Sequence, residues 1–151
     1  MIDGKAAVGI LRNGDLSLLI KRGEYPGDPW SGNIAFPGGH IKNGESIEQG
    51  LLREISEEVN LELLENQIVK ALQMVTSFRA PDLSVYPFVL DVEDLSNARP
   101  GPEVAEIKTV NLLDYRRATH PQNGFPALDY GGWIVWGLTY RIITEYLGIK
   151  P

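Results

Sequence analysis

The 151-residue chain is long enough for one domain with its own core and too short for two comfortable ones. Its formal net charge of −6 argues against nucleic acid held on a basic surface, and the absence of cysteine removes disulfides, thiolate metal sites and cysteine nucleophiles together. No apolar run approaches the ~20 residues that cross a bilayer, and the N-terminus has no signal-peptide pattern, so a cytoplasmic protein away from membranes is expected.

Lys5 to Leu11 and Leu16 to Lys21 read as strands joined by a turn at Asn13-Gly14. Arg22 to Asn33 is rich in Gly and Pro and reads as a long loop, a type of segment that is often functional. Ile34-Ala35-Phe36 forms a short strand delivering a Pro37-Gly38-Gly39 turn. Ser46 with Gln49 is a capping-box pattern, so a helix starts there. Ile47, Leu51, Ile55 and Val59 then recur every fourth residue as one apolar stripe. Glu54, Glu57 and Glu58 fall within an arc of roughly 100°, offset by about a quarter turn from that stripe. Like charges at these spacings repel, so the arrangement asks for a compensating cation, unless it is simply a solvated acidic face.

Beyond the helix, Leu63-Leu64 and Ile68 to Phe78 suggest one or two strands. Ser84 to Val92 is another strand, with Pro87 hinting at an edge or a bulge. Glu93 to Pro102 is a polar turn region and Ile107 to Leu113 a strand. Arg116 to Asp129 reads as irregular. Gly132 to Leu147 reads as a terminal helix with Ile134, Leu138, Ile142 and Tyr146 on one face, which places Trp133 and Trp136 in the core by default. Strands with one central and one terminal helix indicate an α/β domain with a mixed sheet between helices.

Gly39, Glu45, Arg53, Glu54, Ile55, Glu57, Glu58 and Leu61 stand at the spacings of the Nudix box, here spanning residues 39–61 of a single domain over 1–151. The box's penultimate Gly is Asn60, the usual second choice for a left-handed helix end. The chain thus resembles the Nudix hydrolases, which implies an α/β/α sandwich with a central mixed sheet. It also implies cleavage of a nucleoside diphosphate linked to another group, using Mg²⁺ or Mn²⁺. Leu18 to Arg22, Ser31 to Gly39 and the terminal IVWGLTYRI are similar to the coenzyme A pyrophosphatase-like branch, with departures at Ile20, Gly23 and Asn33. Coenzyme A or a derivative is therefore the favoured substrate, with NADH, ADP-ribose or a nucleoside triphosphate as alternatives. A non-hydrolytic Nudix nucleotide-binding domain is the rival from another class, but such domains usually lose the box carboxylates that this chain keeps.

Hard cations prefer oxygen ligands, and by this resemblance Glu58, Glu54 and Glu57 with the Gly38 carbonyl form the metal set. The glycines let the turn pass close to metal and phosphate. Arg53 orients a carboxylate, with Glu45 as its candidate partner. The general base is Glu54 or comes from Glu103 or Glu106, which otherwise form a solvated turn. Arg22 and Lys21 are candidates to meet the diphosphate or an ordinary exposed pair, and Arg79 is a weaker candidate. Tyr25 and Trp30 could stack on an adenine or pack locally. His40 and His120 have no third ligand in view and are not read as metal ligands. The terminal helix could support a homodimer.

Overall fold

The computed structural model describes residues 4–26 and 32–151. Gly14, at φ 57, reverses the chain between β1 (Gly4–Asn13) and β2 (Leu16–Arg22), as the Asn13-Gly14 pair foretells. The two strands pair antiparallel only beside that turn, at Arg12↔Ser17 and Asn13↔Leu16. They then diverge, and the returning chain fills the gap: β3 (Ile34–Ala35) lies on β2, while β4 (Gly38–His40) lies on β1.

Helix α1 (Ile47–Val59) follows, capped by Ser46 in a full capping box with Gln49 and ended by Asn60 at φ 57. A 3₁₀ turn over Glu65–Gln67 leads into β5 (Ile68–Ala71), β6 (Val75–Thr76) and β7 (Leu83–Asp91). β8 (Val104–Asn111) then pairs along β2. The sheet runs β3-β2-β1-β7-β5, with β4 on β1, β6 on β7 and β8 on β2. β1 and β7 are parallel and the other pairs antiparallel, so the sheet is mixed.

Alternation along the strands serves both faces. Ala7, Leu11, Leu18, Ile20 and Leu90 join Leu51, Ile55 and Val59 of α1 in one buried cluster. Ile10, Leu19 and Val89 point the other way, into a cluster with Ile142 and Ile143 of the terminal helix. The expected stripe on α1 is thus the face that holds it to the sheet, with Ile47 only half-buried.

Three expectations need correcting. β7 is a central strand, flanked by β1 and by β5 and β6, although Pro87 lies in it. The Leu72 N–H donates to the Pro87 carbonyl at 2.9 Å, so Pro87 turns its donorless nitrogen to the gap between β5 and β6, where no ladder bond is lost. Residues 116–129 are not irregular: β9 (Arg116–Thr119) and β10 (Pro126–Tyr130) form a hairpin. The terminal helix α2 begins only at Gly137 and runs to Leu147, while Trp133–Trp136 forms β11 against β10. Gly131 and Gly132, at φ 65 and 96, make the two-residue turn between them. That pair of glycines, before four β-branched and aromatic residues, is the local signal that overrides the apparent helical stripe.

Candidate active site

Gly38 sits where β4 crosses β1 opposite Val8, and a Cβ on it would run into the Ala7 carbonyl oxygen. Only glycine fits there. The Gly38 N–H instead donates to Glu58 Oε1 at 2.7 Å, which ties the turn to the last turns of α1. Glu54 lies against the next residue: a Cβ on Gly39 would stand 2.5 Å from Glu54 Oε2. The two glycines thus let two carboxylates of α1 approach the turn.

Glu58 is 6% exposed. Burial lifts its carboxyl to about 7; the Gly38 N–H opposes that rise, the Glu54 charge adds to it, Arg22 opposes it, and the Glu103 charge adds again. The Arg22 Nη1 lies 3.7 Å from Glu58 Oε2. A register shift between Lys21 and Arg22 in the β2–β8 ladder accompanies this placement. Lys21 goes elsewhere, to an exposed pair with Glu106 at 3.7 Å.

Arg53 gathers the rest of the acidic face. Its Nε and Nη2 donate to both oxygens of Glu45 at 2.7 and 3.1 Å, and Nη2 also donates to the His40 carbonyl at 3.0 Å. Its Nη1 donates to Glu54 Oε1 at 2.9 Å and reaches Glu57 at 3.2 Å. The guanidinium and the Lys42 N–H hold the Glu45 carboxyl down at about 2. Arg53 therefore acts on the carboxylates rather than on the cavity, and the loop before α1 is fastened to the helix through it.

The chain after α1 closes over its end. Gly101 N–H donates to the Glu58 carbonyl at 2.8 Å and Arg99 N–H to the Val59 carbonyl at 2.9 Å, while Asn60 Nδ2 donates to the Arg99 carbonyl at 2.7 Å. This brings Glu103 to the start of β8, where its carbonyl accepts the Gly23 N–H at 3.0 Å and its charge is felt by Glu58. Glu106, by contrast, is engaged with Lys21.

A cavity of about 880 Å³ opens beside the turn, within the range of small-molecule sites. Its walls run from Arg22, Gly38 and Gly39 across the sheet to Arg79, Trp136 and the start of α2. Trp136 is half-buried on that wall rather than in the core: Arg79 lies over its ring at 4.8 Å, His120 at 5.0 Å and Phe125 stacks at 5.9 Å. The reading of 133–136 as helix hid this wall. Tyr25 donates to the Pro102 carbonyl at 2.9 Å and does not line the cavity, and Trp30 lies outside the described residues. His40 is on the wall, exposed.

The donor set fits a hard divalent cation, since it is made of oxygens and includes a buried carboxylate facing a glycine turn. Among the described residues no three acidic or histidine side chains converge at ligating distance, because Arg53 engages Glu54 and Glu57 while Glu58 turns to Gly38.

Residues 3–130 match the family model described as NUDIX domain. An ADP-ribose pyrophosphatase of Methanocaldococcus jannaschii is 34% identical over 94 residues, 58% of this chain and 50% of that protein. An 8-oxo-dGTP diphosphatase of Escherichia coli is 43% identical over 56 residues, 36% of this chain and 42% of that protein. The chain thus spans about half the length of the curated relatives it matches. Among solved structures, a MutT/nudix family protein of Enterococcus faecalis superposes with a TM-score of 0.71 at 20% identity, covering 98% of this chain and 62% of that one. A bifunctional NMN adenylyltransferase/ADP ribose pyrophosphatase of Francisella tularensis, complexed with AMP and a manganese ion, gives 0.69 at 18% identity, covering 97% and 42%. With the box on α1 and the turn against it, and a family match over residues 3–130, the chain belongs to the Nudix family.

Proposed function

We propose that the protein is a metal-dependent pyrophosphohydrolase that cleaves a nucleoside diphosphate linked to a second moiety. The observation that carries this reading is the buried Glu58 carboxylate, fastened beside Glu54 to the Gly38 turn, whose glycines line a cavity of about 880 Å³. Glu54, Glu57, Glu58 and the Gly38 carbonyl would hold Mg²⁺ or Mn²⁺. When bound, such an ion neutralises the diphosphate and acidifies the attacking water.

The chain's own residues divide the remaining work. Arg22, between Glu58 and the cavity, meets a diphosphate oxygen. Gly38 and Gly39 keep the turn bare so that phosphate can approach. Arg53 sets the directions of Glu54 and Glu57. A carboxylate accepts the proton of the attacking water: Glu103, at the edge of the site and unburdened by Arg53, or Glu54. Arg79 and Trp136 face the moiety that enters the cavity.

Two substrate forms have specific support. The 34% identical relative is an ADP-ribose pyrophosphatase, which favours an ADP-ribose-type substrate. The residues around the box that resemble the coenzyme A pyrophosphatase-like branch favour coenzyme A. A phosphatase-coupled phosphate-release screen tests both, over ADP-ribose, NADH, coenzyme A, diadenosine polyphosphates and nucleoside triphosphates with Mg²⁺ and Mn²⁺. Turnover highest with one of the first three is expected, and preference for a triphosphate over every one of them would overturn the substrate class.

A further inference from the structure

Gly23 and Tyr25 follow β2 directly after Arg22, and both bond to the segment that enters β8. The Gly23 N–H donates to the Glu103 carbonyl at 3.0 Å, and the Tyr25 hydroxyl donates to the Pro102 carbonyl at 2.9 Å. A Cβ on Gly23 would stand 2.8 Å from Tyr25 Cε2. Gly23 does not have a positive φ, so it is the space for this ring, not backbone freedom, that calls for glycine there. On its other side the same segment is tied to α1, where the Gly101 N–H donates to the Glu58 carbonyl at 2.8 Å. Residues 101–103 are thus held between the end of β2 and the end of the acidic helix.

β8 carries a bulge at the same place. Ile20 and Lys21 pair in step with Ile107 and Glu106, but Arg22 pairs with Val104, one residue beyond its regular partner. Ala105 is the extra residue. Ala105 and Glu106 are both exposed, whereas Val104 is buried in the cluster that holds Ile55 and Val59 of α1. A bulge of this kind re-aims the residues next to it. Here it brings Glu103 to the Arg22 end of β2, where the Glu103 charge reaches Glu58. Glu106, on the regular side of the bulge, is drawn off to Lys21.

We infer that Tyr25 is a positioning residue: with Gly23 it clamps the Pro102-Glu103 segment so that Glu103 is the carboxylate that takes the proton of the attacking water. The inference deepens the pyrophosphohydrolase reading above, which leaves that role to Glu103 or Glu54, and rests on it. Glu54 is the weaker acceptor, because Arg53 donates to its Oε1 at 2.9 Å and it belongs to the set that would hold the ion. Glu103 is exposed and outside the reach of Arg53's bonds. An exposed side chain has rotamer freedom, so its aim depends on the backbone that carries it. A proton acceptor works only within hydrogen-bond reach of the water, and a displacement of about 1 Å costs up to about 100-fold in rate. A hydroxyl that does no more than fix the backbone beside Glu103 therefore sets the rate of the proton transfer.

Steady-state kinetics on a double-mutant cycle test this, with ADP-ribose or coenzyme A, whichever the screen above shows cleaved, at saturating Mg²⁺. Glu103→Gln is expected to lower kcat by about 100-fold. Tyr25→Phe keeps the ring against Gly23 and removes only the hydroxyl. It is expected to lower kcat by about 3–10-fold, with KM and the metal concentration for half-activity unchanged. Gly23→Ala displaces the ring instead and is expected to give the same pattern. Combined with Glu103→Gln, neither change should lower kcat further, because both act through Glu103. A merely structural role would make the losses multiply, and multiplying losses would overturn the inference. So would wild-type kcat in Tyr25→Phe, or a rise in KM alone, which would put the clamp on Arg22 and the substrate. Wild-type kcat in Glu103→Gln also overturns it, while leaving the hydrolase reading intact with Glu54 as the acceptor. No cleavage of any substrate by the wild type refutes the hydrolase reading and this role together.

Discussion

Glu58 accepts the N–H of Gly38 at 2.7 Å, joining residues that are 20 apart in sequence and placing a carboxylate with 6% exposure directly behind the turn. With the Arg53 bond to the His40 carbonyl, this contact holds the glycine turn to the acidic helix, and its chemistry sets the first prediction. Burial lifts the Glu58 carboxyl from 4.5 to about 7, so ionising it costs folded-state stability. The sign follows from linkage: stability is greatest below the unfolded value and is lost as pH rises through about 7. In metal-free protein, Glu58→Gln should therefore raise stability at pH 8 by up to about 3 kcal/mol and change it little at pH 4.5. Thermal unfolding at the two pH values, in the presence of a chelator, reads the difference. The same variant should lose hydrolysis.

Arg53 divides its donors between Glu45, Glu54, Glu57 and the His40 carbonyl, a set that Lys cannot match with one ammonium. Arg53→Lys should lower kcat by about 10–100-fold and raise the metal concentration for half-activity, with a smaller change in KM. A rise in KM alone, at unchanged kcat, would instead put Arg53 on the substrate.

The end of α1 is fastened by the segment after β7, and Gly101 is where it comes closest. A Cβ on Gly101 would run into the Glu57 carbonyl oxygen, whereas Gly14, on the β1–β2 turn, has nothing within 4 Å of that position. Gly101→Ala should destabilise by about 1–3 kcal/mol, as overpacking does, with α1 and the site shifted together. Gly14→Ala should cost only its left-handed backbone strain, about 1 kcal/mol. Denaturant unfolding of the two variants, run side by side with activity, separates the effects: Gly101→Ala alone should also lower turnover.

Asn60 was legible as a tolerated replacement for glycine, and the structure gives the reason. It sits at φ 57, and its Nδ2 adds a bond of 2.7 Å to the Arg99 carbonyl that glycine would lack. Asn60→Gly should accordingly be within about 1 kcal/mol of the wild type, and Asn60→Ala should lose about 1–2 kcal/mol, because alanine gains neither freedom nor the bond.

Trp136 was not legible. Four apolar residues at helical spacing from Ile134 masked a strand, and only the Gly131-Gly132 turn before Trp133 marked it. The box pattern itself could be read along the sequence because it occupies one helix and the turn before it. The cavity wall could not be read in the same way, since it joins the segment after β6, β11, α2 and the β9–β10 hairpin, which are distant in sequence. If that wall holds the base, Trp136→Ala should raise KM by about tenfold while leaving the metal requirement unchanged. Steady-state kinetics at varied substrate and varied metal distinguish these.

The central claim is that the carboxylates of α1 hold the ion on which hydrolysis depends. Its most direct test is a metal titration of substrate cleavage in the wild type and in Glu57→Gln/Glu58→Gln, started from chelator-treated protein. The account predicts no cleavage without metal, saturable activation of the wild type by Mg²⁺ or Mn²⁺, and loss of about 100-fold or more of the activity in the double variant. Wild-type cleavage in chelator, or full activity in the double variant, would contradict it.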